Sequence, residues 1–309
     1  MKIVFMGTPD FAANILKQLL ANNHQIVLVV SQPDRPVGRK KELIETPVKK
    51  IAKANNIEVF QPERIKLDFE RIKILKPDLI ITAAYGQIIP KELLDIPRLG
   101  CINVHASLLP KYRGGAPIHQ AVIDGEKETG ITIMYMAEEM DNGDIISQAV
   151  IPISDYDDTG TLFFKLSNVG AKLLIETLPS IYECINSRTP QNHALATYAY
   201  NIKREDERVV WTKDARSIYN HIRGLNPWPT AYTTIGDINL KIFKSQLLNE
   251  KTPHEPGTIL DVNPEFIAVA TGSGESLHLT EIQLSGKKRM PIKDLLNGEH
   301  PFNIGTKLV

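Results

Sequence analysis

Over the first third of the chain, continuous apolar runs alternate with stretches of helical spacing. Apolar residues recur at three- and four-residue intervals over residues 11–20, which predicts an amphipathic helix after the first run. Continuous β-branched strands separated by helices are typical of a parallel sheet covered on both faces. The pattern therefore predicts an α/β domain with a doubly wound, mostly parallel, Rossmann-like sheet. Its strands are expected at residues 2–7, 25–32, 57–62, 78–86 and 101–107.

The pattern changes after a long amphipathic helix predicted at residues 161–185. The next stretch has few aliphatic residues and is typical of a linker. Beyond it, one helix precedes several short strands, and Gly236-Asp237 is a hairpin signal between the first two. This indicates a small β-barrel of the oligonucleotide-binding (OB-like) kind, although a sandwich has a similar signature. The predicted division is 1–188 for a catalytic domain, 189–207 for a linker and 208–309 for the barrel.

Composition narrows the class of protein. Lysine and arginine balance aspartate and glutamate at 36 each, so no net charge attracts nucleic acid or membrane over long range. A localised basic loop remains possible.

Cysteine content and metal-binding motifs narrow the class further. The two cysteines, Cys101 and Cys184, form no CxxC pair, and the HExxH motif is absent. We therefore expect no disulfide framework, no metal site and a cytoplasmic, reducing compartment. No apolar run approaches the length of a signal peptide core or a membrane span. His119, His24, His221 and His278 are expected to be core histidines.

The turn after the first strand does not support dinucleotide binding. Gly7 opens "GTPDFA", which lacks the second and third glycines of the nucleotide fingerprint. A tight strand-to-helix turn explains Gly7 without a cofactor. In open parallel sheets the ligand crevice nevertheless lies at the carboxyl ends of the strands, where "AAYG" and "VHASLLP" end.

The strand "CINVHAS" carries two polar residues on one face. Asn103 and His105 are two positions apart, so their side chains leave the same side of the strand. A short polar segment with Asp141, Asn142 and Asp144 follows the strand "TGITIMYM". If one of these aspartates lies near His105, its carboxylate would orient the imidazole ring. A satisfied polar pair beside a solvated turn explains the same residues. The residues alone leave both interpretations open.

Longer motifs add a resemblance. "NVHASLLPKYRGGAPIHQAV" and "TGITIMYMAEEMDNGDI" closely resemble the folate-dependent formyltransferases, and "FMGTPDFAA", "SQPDRPVGR" and "AYGQIIP" extend the match. The resemblance implies the formyltransferase fold and formyl transfer from 10-formyltetrahydrofolate, with Asn103, His105 and Asp141 as the catalytic trio. It also implies that the folate is bound by two loops. Their residues are Ser107, Leu108, Leu109 and Pro110 in one, and Tyr85, Gly86, Gln87 and Ile88 in the other.

Other motifs resemble the tRNA-acting members of that family, which formylate methionyl initiator tRNA. They are "NPWP", the terminal "KLV" and a basic loop that, in those members, inserts at the acceptor end. The loop departs from the family's Gly-Arg-Gly-Lys-Lys because Gly38 is followed by Arg39, Lys40, Lys41 and Glu42. Lys287, Lys288 and Arg289 form a matching patch with phosphate contact as its expected use. Charge alone favours a solvated loop for the first basic group, and for the second it makes a solvated turn equally typical. A monomer is expected.

Three other functions compete with this hypothesis. A formyltransferase acting on a nucleotide-linked amino sugar would share the two-domain plan, so "NPWP" and the Arg39 loop carry that discrimination. An enzyme for a purine precursor is disfavoured by the basic loop and the β-rich second domain. A tRNA-binding module without catalysis is disfavoured by the intact Asn103, His105 and Asp141.

Overall fold

The apolar runs of the first half form one sheet, as the sequence predicts. The computed structural model describes residues 1–37 and 42–309 of the chain. The strands before residue 153 are β1 (Ile3–Gly7), β2 (Ile26–Val30), β3 (Arg35–Val37), β4 (Glu42–Ile44), β5 (Val59–Phe60), β6 (Leu79–Ala83), β7 (Cys101–His105), β8 (Glu128–Tyr135) and β9 (Ile145–Pro152). β3 and β4 pair with each other as a separate antiparallel hairpin.

The main sheet has the strand order β5-β2-β1-β6-β7-β8-β9. The pairs from β5 to β7 are parallel, whereas β8 and β9 run antiparallel to their neighbours. Because the chain winds outward from β1 in both directions, the carboxyl ends of β1 and β6 meet where the strand order reverses. The predicted doubly wound, mostly parallel sheet is therefore confirmed.

Helices occur in both halves of the chain, and the last two pack on strands of the second half. They are α1 (Asp10–Ala21), α2 (Pro47–Ala54), α3 (Glu70–Leu75), α4 (Lys91–Leu94), α5 (Pro117–Ile123), α6 (Thr159–Tyr182), α7 (Ala215–Gly224) and α8 (Ile292–Leu295). Thr46 caps α2 by accepting a hydrogen bond from Lys49 N at 3.3 Å. Gly7 lets α1 approach β1 closely, since a Cβ there would lie 2.5 Å from Ala12 Cβ.

The burial pattern explains why the central strands lack alternation. Every residue of β1 and β6 is buried. On one face, Val4 and Met6 pack with Leu28, Val30 and Ile80 in one apolar cluster. Both faces are covered, so both parities of each strand are apolar.

The second half of the chain forms an antiparallel sheet. Its strands are β10 (Ala231–Ile235), β11 (Ile238–Lys251), β12 (Ile259–Val262), β13 (Ile267–Ala270), β14 (Glu275–Leu284) and β15 (Met290–Pro291). They are ordered β10-β11-β14-β13-β12, with β15 beside β14. Ile235 pairs with Ile238 across Gly236-Asp237, so the predicted two-residue hairpin is confirmed.

The last residues of the chain close this sheet into a barrel. On one edge, Thr234 and Val309 exchange backbone hydrogen bonds of 2.8 and 3.0 Å beside β10. On the other edge, Ile259 N donates to Thr306 O and Leu308 N donates to Gly257 O. Since the two edges of the sheet are joined through the same segment, the predicted small β-barrel is confirmed.

The chain separates into two compact units. The first contains residues 1–117, 128–152 and 163–200, and the second contains residues 118–127, 153–162 and 201–309. Within the second unit, α7 begins after Asp214, which accepts a hydrogen bond from Ser217 N at 2.9 Å. Across residues 1–37 and 42–309, no helix combines the length and the apolar character needed to cross a membrane.

Candidate active site

Asn103 lies on β7 with its amide turned by a neighbouring strand. Thr82 on β6 is its register partner, and the Thr82 hydroxyl donates to Asn103 Oδ1 at 2.9 Å. Because the oxygen and nitrogen occupy opposite arms of the amide, this bond turns Nδ2 away from β6. Asn103 therefore offers a donor rather than an acceptor on its free side.

His105 ends the same strand and is 5% exposed. Its Nε2 lies 3.0 Å from Tyr112 O, and since a carbonyl only accepts, Nε2 carries the proton of that bond. Its Nδ1 lies 3.7 Å from Asp141 Oδ2. Both ring nitrogens therefore face oxygen atoms.

Asp141 reaches His105 from the loop that follows β8. Its Oδ2 accepts a hydrogen bond of 2.8 Å from Gly114 N, and its own backbone has φ of 52°. Aspartate tolerates this left-handed conformation better than most residues. The structure therefore brings Asp141 and His105 together and adds the Gly114 amide as a second contact for the carboxylate.

Residues 189–200, here called the strap, lie along the loop that follows β7. Arg113 N donates to Thr197 O at 2.9 Å, and Ala199 N donates to Arg113 O at 2.7 Å. Tyr112 N donates to Thr197 Oγ1 at 2.9 Å. The first part of the predicted linker is therefore hydrogen-bonded to the site loop within the first unit.

One strap residue contacts the loop that carries Asp141, and the sequence analysis missed it. Gln191 Nε2 donates to the backbone carbonyls of Asp141 and Gly143 at 2.9 and 2.8 Å. Arg113 is 2% exposed and donates to Gln191 Oε1. The only sequence signal was the arginine in "KYRGG", because the segment containing Gln191 has the composition of a linker.

The loop from Ser107 to Pro110 is built by internal hydrogen bonds. The Ser107 hydroxyl is buried and donates to Lys111 O at 2.7 Å, so its side chain serves the loop itself. Thr132 on β8 donates to Ser107 O and accepts from Leu109 N. Leu108 and Leu109 lie within this loop, and a cis peptide bond joins Leu109 to Pro110. The loop follows β7, so it starts at the same edge of the sheet as the next loop.

The loop from Tyr85 to Ile88 follows β6. Tyr85 is 4% exposed, and its hydroxyl has no hydrogen-bond partner among the residues that the structure describes. Burial raises the pKa of this phenol, so the hydroxyl stays protonated. Gly86 has φ of 88°, Gln87 Oε1 accepts from Ile65 N, and Ile88 is 80% exposed.

A cavity of about 620 Å³ opens at the carboxyl ends of β1, β2 and β6. Thr8 after β1, Gln32 after β2 and Tyr85 with Gly86 after β6 contribute to its lining. Its volume lies within the usual range of about 300–1,000 Å³ for small-molecule sites. The crevice is thus at the edge of the sheet where the strand topology predicts it.

Neither a thiolate nor a metal cluster stands out near these groups. Burial raises the pKa of the Cys101 thiol to about 12, so this cysteine on β7 is a poor nucleophile. Among the side chains described, no group of three or more histidines, cysteines, aspartates or glutamates is arranged to hold a metal ion.

The structure describes the second of the two predicted basic groups and not the first. Arg39, Lys40 and Lys41 lie outside the described residues. Lys287 and Lys288 are exposed on the turn between β14 and β15. Arg289 forms an ion pair with Glu281 and lies 4.2 Å from the centre of the Phe243 ring. Lys287 and Lys288 are therefore the more available charges of this patch.

Family comparisons identify the class of protein to which this fold and site belong. Residues 1–178 match the family model described as "Formyl transferase", and residues 201–300 match "Formyl transferase, C-terminal domain". The chain belongs to the formyl transferase family. A methionyl-tRNA formyltransferase of Staphylococcus epidermidis is 54% identical over 310 residues, which cover 100% of this chain and 99% of that relative.

Solved structures share the fold at lower identity. An N-formyltransferase from Helicobacter canadensis, in complex with folinic acid and dTDP-3-aminofucose, aligns with a TM-score of 0.70 and 22% identity. That alignment covers 90% of this chain and 98% of the other. A methionyl-tRNA formyltransferase from Clostridium thermocellum aligns with a TM-score of 0.57 and 21% identity, covering 81% and 95% of the two chains.

Proposed function

We propose that this protein transfers the formyl group of 10-formyltetrahydrofolate to the α-amino group of methionyl initiator tRNA. The observation that carries the proposal is the grouping of Asn103, His105 and Asp141 in a chain that is 54% identical, over its full length, to a methionyl-tRNA formyltransferase. The Helicobacter canadensis N-formyltransferase that was solved with dTDP-3-aminofucose is only 22% identical, which supports a shared fold and no more.

The proposed chemistry is an acyl transfer between two nitrogens. The methionyl amine adds to the formyl carbon, a new carbon–nitrogen bond forms, and the bond from that carbon to the folate nitrogen breaks. One proton leaves the amine and one is returned to the departing nitrogen, so the exchange is balanced without a metal or an enzyme-bound acyl group. The protein has to stabilise the negative charge that develops on the formyl oxygen and move the proton.

Asn103 is the more direct donor to the formyl oxygen. Thr82 fixes its Oδ1, which leaves Nδ2 free for the developing charge. A donor of this kind is worth about 2.7–4 kcal/mol of transition-state stabilisation. The proton on His105 Nε2 is already donated to Tyr112 O. The formyl oxygen would therefore have to compete with that carbonyl for the same proton, which makes His105 the weaker donor.

His105 and Asp141 together suit the proton movement. The Asp141 carboxylate lies 3.7 Å from His105 Nδ1, where it would orient the ring during proton transfer. We therefore assign charge stabilisation mainly to Asn103, and we assign proton relay, directly or through water, to the pair of His105 and Asp141.

The folate is assigned to the two loops at the strand ends. Tyr85 and Gly86 of the second loop line the cavity together with Thr8 and Gln32, which offer polar groups to the edge of a flat ring. Backbone groups of Ser107, Leu108, Leu109 and Pro110, and of Gly86, Gln87 and Ile88, would complete the folate contacts. Domain 1–188 is proposed to carry this site.

The tRNA is assigned to localised basic groups, because the net charge of zero provides no long-range attraction. Arg39, Lys40 and Lys41 would contact the acceptor end, and Lys287, Lys288 and Arg289 in domain 208–309 would contact phosphates. Segment 189–207 would connect the two domains. A charged-tRNA substrate implies the cytoplasm, and a monomer is the proposed state.

One assay tests the proposal and its alternative. The purified protein is incubated with 10-formyltetrahydrofolate and either methionyl initiator tRNA or dTDP-3-aminofucose, and the products are identified by mass spectrometry. We expect formylmethionine with the tRNA and no formylated sugar, and we expect His105→Ala to abolish the product. Formylation of the sugar alone would replace the proposed acceptor, while formylation of neither would reject the proposed function.

A further inference from the structure

Gln191 on the strap holds the loop that carries Asp141. Its side chain is buried at 5% exposure, and its amide nitrogen donates to two backbone carbonyls, those of Asp141 and Gly143. Both carbonyls are on the same short loop, within three residues of one another. A single side chain therefore fixes the backbone on both sides of Asn142.

This loop needs such a support because its backbone is constrained. Asp141 has φ of 52°, which non-glycine residues rarely adopt. Gly143 lies directly against the end of β8, since a Cβ there would be 2.0 Å from Tyr135 O. Only with the loop in this place does Asp141 Oδ2 accept from Gly114 N at 2.8 Å and lie 3.7 Å from His105 Nδ1.

Arg113 determines which way the Gln191 amide faces. Its Nε and Nη2 lie 3.2 and 2.7 Å from Gln191 Oε1, and an arginine can only donate. Oε1 must therefore face Arg113, and Nε2 must face the two carbonyls. Nη2 also contacts His193 Nδ1 at 3.1 Å, which places a second strap residue on the guanidinium.

The contacts close into a ring. Arg113 holds Gln191, Gln191 holds the Asp141 backbone, and the Asp141 carboxylate binds the amide of Gly114, which follows Arg113 in the chain. Position 191 of this ring requires a side chain that both accepts from Arg113 and donates to backbone carbonyls. A glutamate there accepts from Arg113 but cannot donate to carbonyls when ionised, and a lysine donates but repels Arg113.

We propose that Gln191, held by Arg113, is a positioning residue that places the Asp141 carboxylate against His105 for the transfer reaction. The inference rests on the proposed function, in which Asp141 acts in proton relay. It assigns a role in the reaction to Gln191 alone among the strap residues, since removing its amide is expected to displace the loop that carries Asp141 and to leave the folate and tRNA contacts in place.

The first experiment separates positioning from binding. Gln191→Met removes the donors with little change in volume, and Gln191→Glu keeps the acceptor for Arg113. Asn192→Ser is the matched control, because Asn192 is an exposed neighbour and the serine hydroxyl can still cap the turn at His193–Leu195. Turnover is measured at saturating 10-formyltetrahydrofolate and methionyl-tRNA, per tetrahydrofolate-binding site. We expect a roughly tenfold lower kcat for both Gln191 variants, with KM values within about twofold and the control unchanged.

The second experiment is a double-mutant cycle with Asp141→Asn. If Gln191 acts through Asp141, adding Gln191→Met to Asp141→Asn lowers kcat by less than about twofold, because the group it places is already gone. A further tenfold loss in that background would overturn the inference, as would wild-type kcat in Gln191→Met and Gln191→Glu. Should Gln191→Met fail to fold, Gln191→Glu decides. Full turnover of Asp141→Asn itself would instead reject the role of Asp141 in the proposed function.

Discussion

Asn103 depends on Thr82 for the direction of its amide. The two residues are register partners on adjacent parallel strands, and the hydroxyl of Thr82 also contacts Ile102 O at 3.2 Å and Met136 Sδ at 3.3 Å. Thr82 is 3% exposed, so water does not compete for this hydroxyl. The orientation of the proposed oxyanion donor is therefore built into the sheet rather than into a loop.

Substitutions at Asn103 and Thr82 test this arrangement. Asn103→Ala is expected to lower kcat about a hundredfold, which is typical of one lost oxyanion donor. Thr82→Val keeps the shape but frees Oδ1, and losing one hydrogen bond of about 1 kcal/mol predicts a roughly fivefold lower kcat. Steady-state formylation and melting curves are the measurements.

Thr82→Ser is the matched control for the valine, because it keeps the hydroxyl and should retain most of the activity. Wild-type kcat in Asn103→Ala would remove Asn103 from the mechanism. Equal activity in Thr82→Val and Thr82→Ser would show that the hydroxyl does not orient the amide.

The sequence predicted some residues of the candidate site and missed others. Asn103 and His105 could be placed on one strand face from their spacing, and the resemblance added Asp141. Gln191, in contrast, acts on backbone carbonyls 50 and 48 positions earlier, and carbonyls are common to every residue. Nothing in the local pattern around position 191 marks such a contact, so only the folded chain reveals it.

At the scale of elements, the strap and the loop after β7 act as one piece. Gly114 lies between them with φ of 117°, and a Cβ there would be 2.6 Å from Ala199 O. Its amide is the group that binds Asp141. The glycine is thus required both by its backbone conformation and by the close approach of the strap.

Gly114→Ala is expected to destabilise the protein by about 1–3 kcal/mol and to lower kcat more than tenfold, because the amide moves away from Asp141. Gly305→Ala is the control, since Gly305 has φ of 87° in the second unit and no atom within 4 Å of the added Cβ. Urea unfolding and formylation kinetics are measured for both variants. Comparable kcat for the two alanine variants would contradict a special role of position 114.

Edge elements were harder to predict than central ones. β9 was missed because it is an edge strand with alternating burial, and Val150 is 57% exposed. β1 and β6 are buried throughout, so their continuous apolar runs were unambiguous. The barrel was predicted from its hairpins, but the segment at residues 305–309 that closes it has no apolar run of its own.

At the scale of the whole molecule, several histidines that are buried or half-buried lie in the second unit. His119, His221 and His278 all belong to it. Burial is the largest cause that lowers the pKa of each, and hydrogen bonds to Trp228 O and Glu207 O partly oppose the shift in His119 and His221. His278 stacks on Phe266 with ring centres 3.5 Å apart, and its Nδ1 has no partner within the described chain.

These histidines predict that the protein loses stability as the pH falls below about 6.5, the ordinary histidine pKa. The folded state binds their protons more weakly than the unfolded state, so the stabilisation is complete above the unfolded pKa. It is lost as the pH falls through the lower, folded values. Carboxylates with lowered pKa, such as Asp214 and Glu281, lose their contribution only at more acidic pH. Urea midpoints at pH 7.5 and pH 5.5 should therefore report mainly the histidines.

His278→Phe isolates one of these groups. It keeps an aromatic ring on Phe266 but cannot be protonated, so the variant should lose less stability than the wild type between pH 7.5 and pH 5.5. His254→Phe, at an exposed position on the same unit, should leave the difference between the two midpoints unchanged. An identical loss in wild type and His278→Phe would mean that burial of His278 does not couple its protonation to unfolding.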